Sequence, residues 1–296
     1  MFAKEQAVFI TAVGTPLNED GDLVEESFRR HLSDQLANGI DGLLVMGTMG
    51  MMPCLKAATY RQCAQAAVAQ VGSRAKVMVG IGDNSIERTM ERVELLEGLK
   101  IDAVAATTPY YFPSSQHDLL DYFRTIAERS PFPLYLYDLP QLTKVKIELD
   151  TVLELSAHRN IRGIKCSHDP VYVRRLFDRL GQSDFELICS QYDLTDFFLA
   201  YGIMLHLDGF FSVMPSWLKE IKGAYQLKDF KKINAIQRKM TALRSDFFSL
   251  GVFPAFSEAM NLLGFAGRFF PSHLSPLAPQ DRRRVKELLV KAGLLA

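Results

Sequence analysis

The feature that most restricts how this chain can fold is the even recurrence of short apolar runs. Runs rich in aliphatic and β-branched residues lie at 7–13, 42–46, 76–81, 102–106, 133–137, 161–165, 185–189 and 207–212. Each is short enough to be a strand. Helix-length amphipathic segments separate them, among them 25–37, 57–71, 86–99, 117–129, 150–158 and 172–180. The runs are apolar without strict alternation, as expected of parallel strands covered on both faces. Eight such units predict a closed (β/α)8 TIM barrel rather than an open doubly wound sheet. After the eighth run the alternation stops, and helical stretches follow at roughly 228–250, 254–263 and 279–292. The expected organisation is a catalytic α/β barrel over residues 1–225 and a C-terminal three-helix appendage over 226–296.

Composition narrows the function classes. With 48% hydrophobic residues over 296 positions, the chain can bury a large core. Lys plus Arg balances Asp plus Glu at 34 each, so no overall field draws it to nucleic acid or to an anionic membrane. Small molecules and copies of itself are the expected partners. The N-terminal residues Met1, Phe2, Ala3, Lys4, Glu5 and Gln6 meet an apolar run too short for a signal core or for a span of ~20 residues, which predicts a cytoplasmic protein. Cys54, Cys63, Cys166 and Cys189 are scattered without a CxxC pair, so they read as buried thiols rather than a zinc site or a disulfide framework. The six histidines are dispersed, and no dense His/Cys/carboxylate cluster indicates a metal.

In a (β/α)8 barrel the chemistry sits where strands end and the following loops begin. This converts the strand map into a shortlist. It contains Gly47-Thr48-Met49-Gly50 after the second run, Gly82-Asp83-Asn84-Ser85 after the third, and Thr108-Pro109-Tyr110-Tyr111 after the fourth. Tyr137-Asp138-Leu139-Pro140 closes the fifth, Lys165-Cys166-Ser167 the sixth, and Gly209 to Val213 belongs to the eighth. A lysine at a core strand end can point into the barrel mouth, where desolvation favours the neutral amine that attacks a ketone. Tyr137 ends the neighbouring strand, and one strand spacing of roughly 5 Å brings its phenol within reach for proton transfer. The glycines flanking Thr48 and Met49 permit a turn whose backbone N–H groups suit a carboxylate.

Taken together and in order, these segments resemble the dihydrodipicolinate synthase and N-acetylneuraminate lyase family of class I aldolases, over essentially the whole chain. Val13-Gly14-Thr15-Pro16-Leu17 with Asp20-Gly21, Gly39-Ile40-Asp41-Gly42, and Gly80 to Ser85 support it. So do Pro109-Tyr110-Tyr111, Leu136 to Pro140, Gly163 to Ser167, and Asp208 to Val213. The resemblance implies that Lys165 forms a Schiff base with pyruvate or a longer 2-keto acid, that Tyr137 moves protons, and that Thr48 relays them and helps hold the keto acid. It further implies that Met49 and Gly50 lie at the keto-acid carboxylate, and that Tyr111 reaches the site of an adjacent subunit across a tight dimer within a homotetramer. No metal or redox cofactor is called for, because the protonated imine is itself the electron sink.

Several positions depart from the family pattern. Met49 and Met51 stand where a second hydroxyl residue and a glutamate are common, which changes the clamp on the keto acid. Leu142 stands five residues after Tyr137, where dihydrodipicolinate synthases carry an arginine for the carboxylate of the second substrate. This directs the reading toward lyases of neuraminate or of 2-keto-3-deoxy sugar acids, with an aldehyde or sugar-derived co-substrate. Asp138 replaces the commoner asparagine, and the segment 202–207 is longer than usual. Phe211 takes the place of a smaller aliphatic residue at the keto-acid pocket. Ser167 is the expected polar contact for the second substrate, and Gln191, Tyr192 and Asp193 follow the seventh run where sugar-like substrates are held. The alternatives are a Schiff-base dehydratase of a deoxy-keto sugar acid, a true dihydrodipicolinate synthase, and a keto-acid-binding paralogue without turnover.

Overall fold

Eight parallel strands close into a barrel in sequence order. They are β1 (Val8–Ala12), β2 (Gly42–Val45), β3 (Lys76–Gly80), β4 (Ala103–Thr107), β5 (Leu134–Asp138), β6 (Ile161–Cys166), β7 (Glu186–Cys189) and β8 (Leu205–Asp208). The computed structural model describes residues 2, 5–167 and 169–295. Met1, Ala3 and Lys4, which entered the reading of the N-terminal segment, lie outside the described residues. Almost every strand residue is buried, as parallel strands with covered faces require. The barrel closes by pairing β1 with β8, Thr11 opposite Asp208.

Helices α1 (Glu25–Ala37), α2 (Ala57–Val71), α3 (Ile86–Glu94), α4 (Gln116–Arg129), the single turn α5 (Pro140–Thr143), α6 (Leu149–Leu155), α7 (Pro170–Leu180) and α8 (Thr195–Tyr201) fall between strands. Local signals start several of them. The Ser85 side chain accepts the Arg88 N–H at the head of α3, and Ser115 with Asp118 forms a capping box on α4. Helix α1 turns Phe28, His31 and Leu32 inward, all fully buried. The His31 ring packs 5.2 Å from that of Phe265, and neither ring nitrogen has a partner among the described residues.

The predicted strands match within a residue or two at each end except the last. The eighth strand begins at Leu205 and ends at Asp208, where the expectation placed it over 207–212. The reason lies in Asp208, whose Oδ1 accepts the backbone N–H of Phe210 at 2.9 Å while Gly209 adopts helical angles. That bend converts Phe210–Ser212 into a 3-10 turn. The longer segment 202–207 is spent on Gly202, in the left-handed conformation that ends α8, and on entry into β8.

Four helices follow β8 rather than three. Helix α9 (Pro215–Gln226) completes the eighth β/α unit, and α10 (Phe230–Leu250), α11 (Val252–Leu262) and α12 (Pro279–Ala292) come after it. Helix α10 packs on α9, on α8 and on the 3-10 turn Tyr192–Leu194 that follows β7. This brings one face of a C-terminal helix to the strand-end rim of the barrel. Among the described residues, no helix is long and apolar enough to cross a membrane.

Candidate active site

At the C-terminal end of the strands, β5 and β6 are in register with Tyr137 opposite Lys165. Both side chains are enclosed, Lys165 at 3% exposure and Tyr137 at 5%. The Lys165 Nζ donates to Ser167 Oγ at 2.9 Å and rests 3.9 Å from the centroid of the Tyr137 ring. The phenol oxygen lies 3.0 Å from Thr48 Oγ1. Amine, phenol and threonine hydroxyl therefore form one series that starts at the buried Lys165 on β6, crosses β5 and ends at the half-buried Thr48 on the turn after β2.

Two adjoining chambers meet at this chain. The first, of about 340 Å³, contains Lys165 and Ser167 together with Thr48, Met49, Tyr137, Gln141, Ser190, Tyr192, Asp208 and Arg244. The second, of about 210 Å³, is lined by Met51, Met52, Cys54, Tyr110, Leu139 and Phe253 among others. Thr48, Tyr137, Leu139, Leu142 and Phe253 face both. The first chamber has the amine and most of the polar groups, and the second is largely apolar.

The expected site residues are distributed unevenly around these spaces. Lys165, Tyr137, Thr48, Met49 and Ser167 line the lysine chamber. Gly50 sits behind the turn, where a Cβ would come within 2.7 Å of Met46 Cα, and its carbonyl accepts the Thr15 hydroxyl. Tyr111 is 77% exposed and lines neither chamber. Its backbone N–H and that of Tyr110 both donate to Asn84 Oδ1, so the loop after β3 fixes the loop after β4.

Phe211, expected at the keto-acid pocket, lies instead in the core, its ring edge-on to Phe9 at 5.6 Å. The 3-10 turn after Gly209 rotates the chain so that Phe210 takes the pocket position, stacked against Tyr192 at 5.8 Å. Asp138 faces away from the phenol oxygen and accepts the Ile147 N–H at 3.0 Å, which ties down the loop after α5. Leu142 lines both chambers and is 58% exposed, so no cation stands at that position. Of the three residues after β7, Tyr192 lines the lysine chamber, while Asp193 accepts a charged hydrogen bond from Arg244.

Two charge-bearing residues of the lysine chamber were not among the expected site residues. Asp208 ends β8 beside the amine. Burial pushes its carboxyl up to about 6, against the Phe210 N–H and the Lys165 charge, which pull it down. Only its place in the Asp208-Gly209 segment pointed to it. Arg244 comes from the middle of α10, far along the chain, and no local pattern in that helix distinguishes it from a solvated arginine.

Comparison with known proteins agrees with this geometry. The family model described as the dihydrodipicolinate synthetase family matches residues 5–292. A 4-hydroxy-tetrahydrodipicolinate synthase from Gluconacetobacter diazotrophicus is 29% identical over 290 residues, covering 97% of both chains. A crystal structure of dihydrodipicolinate synthase from Aquifex aeolicus superposes with a TM-score of 0.89 at 27% identity, over 98% of each chain. A structure described as a monomeric dihydrodipicolinate synthase variant gives 0.90 at 27% identity, over 98% of this chain and 97% of that one.

Proposed function

The chain belongs to the dihydrodipicolinate synthetase family, a family of class I Schiff-base lyases, and from that premise we propose that Lys165 condenses with pyruvate and joins it to, or releases it from, an aldehyde. The observation that carries this reading is the enclosed Lys165 amine on the face of Tyr137, whose phenol oxygen is held by Thr48.

In this reading the Lys165 nitrogen adds to the ketone carbon of pyruvate, and the carbinolamine loses water to give a protonated imine. Electron withdrawal by the imine lets a C3 proton leave, and the resulting enamine attacks the aldehyde carbon. The aldehyde oxygen takes up a proton as the C–C bond forms, and water then hydrolyses the imine. Run backwards, the same steps cleave a longer 2-keto acid. Tyr137 hands protons between these atoms and Thr48 relays to it, which is general acid–base work. Ser167 holds the amine in place before attack, and the turn at Thr48 and Met49, which Gly50 supports from behind, receives the keto-acid carboxylate.

The relatives named above are synthases, and none of them supports the neuraminate-type lyase that Leu142 suggested. The reaction class is therefore kept at condensation or cleavage between pyruvate and an aldehyde. A dehydratase would begin with the same imine, and assay of released pyruvate from a panel of 2-keto acids separates the two. The decisive test is borohydride reduction with pyruvate followed by peptide mass mapping. A single adduct at Lys165, absent from Lys165→Ala, is expected; an intact wild type without an adduct would reject the reading.

Assembly is part of the proposal. Tyr111 and Phe112 are exposed at 77% and 70%, beside the mouth of the site, and a second copy placed there would receive Tyr111. The resemblance favours a homotetramer built from such dimers. Mixing Lys165→Ala with Tyr111→Phe tests it, because verified mixed dimers should regain activity that neither variant has alone.

A further inference from the structure

Arg244 projects from α10 into the lysine chamber, and its surroundings are unusual for a surface arginine. The guanidinium carbon lies 4.6 Å from the centroid of Tyr192 and 4.2 Å from that of Phe248. Nη1 donates to the Asp193 carboxylate. The group is thus clamped between two rings and pinned at one terminal nitrogen. Nε is buried and has no partner among the described residues. The edge formed by Nε and Nη2 is therefore uncommitted, and this is the pair of parallel donors that receives two oxygens of a carboxylate or phosphate. A buried donor without an acceptor carries a desolvation cost that such a ligand would remove.

A purely structural arginine, bridging α10 to the turn after β7, explains the stacking and the Asp193 contact. It does not explain why the side-on edge is left empty. Nor does it explain why the residue lines a chamber in which, among the described residues, Lys165 is the other cation. With Leu142 at its chamber-facing position, the loop after β5 puts no positive group into the lining, its Lys144 and Lys146 lying outside it. Arg244 supplies one from a different element, across the same space.

We propose that Arg244 is a specificity-determining residue that receives an oxyanion, carboxylate or phosphate, carried by the aldehyde co-substrate. This rests on the imine reading above, since the anion is placed at the end of the chamber that pyruvate does not fill. The clamp by Tyr192, Phe248 and Asp193 fixes the fork before the ligand arrives, so little freedom is lost on binding. Neutral aldehydes would leave the donor edge unpaired and are disfavoured for that reason.

The test uses the full chain, first treated with pyruvate and borohydride so that a reduced adduct at Lys165 fills the keto-acid end. Propionate, inorganic phosphate and neutral propanol are titrated calorimetrically into treated and untreated protein. At least one anion should bind treated wild type while propanol does not, and the better of the two identifies the chemistry. Arg244→Leu should weaken that anion at least about tenfold, the scale of one charge-assisted hydrogen bond. Arg244→Lys keeps the charge but not the fork and should recover only part. Because Arg244→Leu strands Asp193, the neutral pair Arg244→Gln/Asp193→Asn is measured beside it, with thermal melts to confirm folding, and must also lose the anion. Equal anion binding by wild type and both Arg244 replacements, or no anion binding by wild type up to about 20 mM, overturns the proposal. If no adduct forms, the imine reading fails, while Arg244-dependent binding to untreated protein would still establish the anion site.

Discussion

At the scale of single residues, the site is defined by where donors and acceptors are aimed. The Tyr137 phenol gives its oxygen to Thr48 and its ring face to Lys165, so removing the oxygen leaves the packing intact and, on the proposed mechanism, cuts the proton path. Tyr137→Phe should form the pyruvate adduct slowly and lose about 10²- to 10⁴-fold in turnover, with a smaller loss for Thr48→Val; stopped reduction time courses read both. A Tyr137→Phe enzyme with ordinary turnover would remove the phenol from the mechanism. Asp208 gives a prediction in pH. Its folded value of about 6 lies above the ordinary 3.8, so the native state holds the proton more tightly. Its contribution to stability is greatest in acid and is lost as pH rises from about 4 through 6. Asp208→Asn should therefore stabilise the protein at pH 7.5 by ~1–2 kcal/mol after allowance for solvent in the cavity, with no gain at pH 4. Melting curves at the two pH values decide it, and an equal shift at both would count against a raised carboxyl. Lys165 and Tyr137 were readable because each ends a strand run, and Thr48 because its turn follows one and matches the family pattern. Arg244 was not, because its role comes from tertiary packing of α10 against the turn after β7.

At the scale of elements, two loops set the geometry. A Cβ on Gly209 would come within 1.9 Å of Met49 Cγ, so the turn after β8 and the turn after β2 are in contact through a methionine side chain. Gly209→Ala should push Met49 into the lysine chamber and raise the KM for pyruvate about tenfold, the effect of ~1–3 kcal/mol of overpacking. The double variant Met49→Ala/Gly209→Ala should restore it, and failure of that rescue would show that Gly209 is needed for the backbone itself. On the other side, Arg88 and Arg92 hold Asp83, and the adjacent Asn84 accepts from Tyr110 and Tyr111. Asn84→Ala is expected to lower turnover while leaving adduct formation at Lys165, because only the Tyr111 loop is released. Most strands were legible as apolar runs bounded by glycine or polar turns. The eighth was misplaced because Phe210, Phe211 and Ser212 extend an apolar pattern past the bend that the Asp208 side chain imposes, and a one-dimensional pattern does not register a side-chain cap. That same bend exchanged the places of Phe210 and Phe211.

At the scale of the whole molecule, closure of the barrel followed from counting alternating units. The helices after it were harder, since α9 lies within the span assigned to the barrel, yet no helix was expected between the eighth run and the stretch at 228–250. The buried histidines connect overall stability to acid. Burial lowers His31 to about 3 and His206 to about 4, both below the ordinary 6.5. Their stability contribution is complete above pH 6.5 and is lost as pH falls toward those values. The melting temperature should thus fall on acidification from pH 6.5 to 4, and His31→Leu, which replaces an imidazole with two unpartnered nitrogens, should flatten that fall. An unchanged slope would place the acid sensitivity elsewhere. Helix α10 carries a further consequence. The strand ends that would break and make bonds and the helix that would choose the aldehyde are separate pieces of chain, joined by the packing of α10 on the turn after β7 and across the cavity they share. Mutational change confined to 241–253 can then retune which aldehydes are accepted without touching imine formation. A search for altered substrate range, in the laboratory or among natural variants, is best directed at that helix and the turn beyond it.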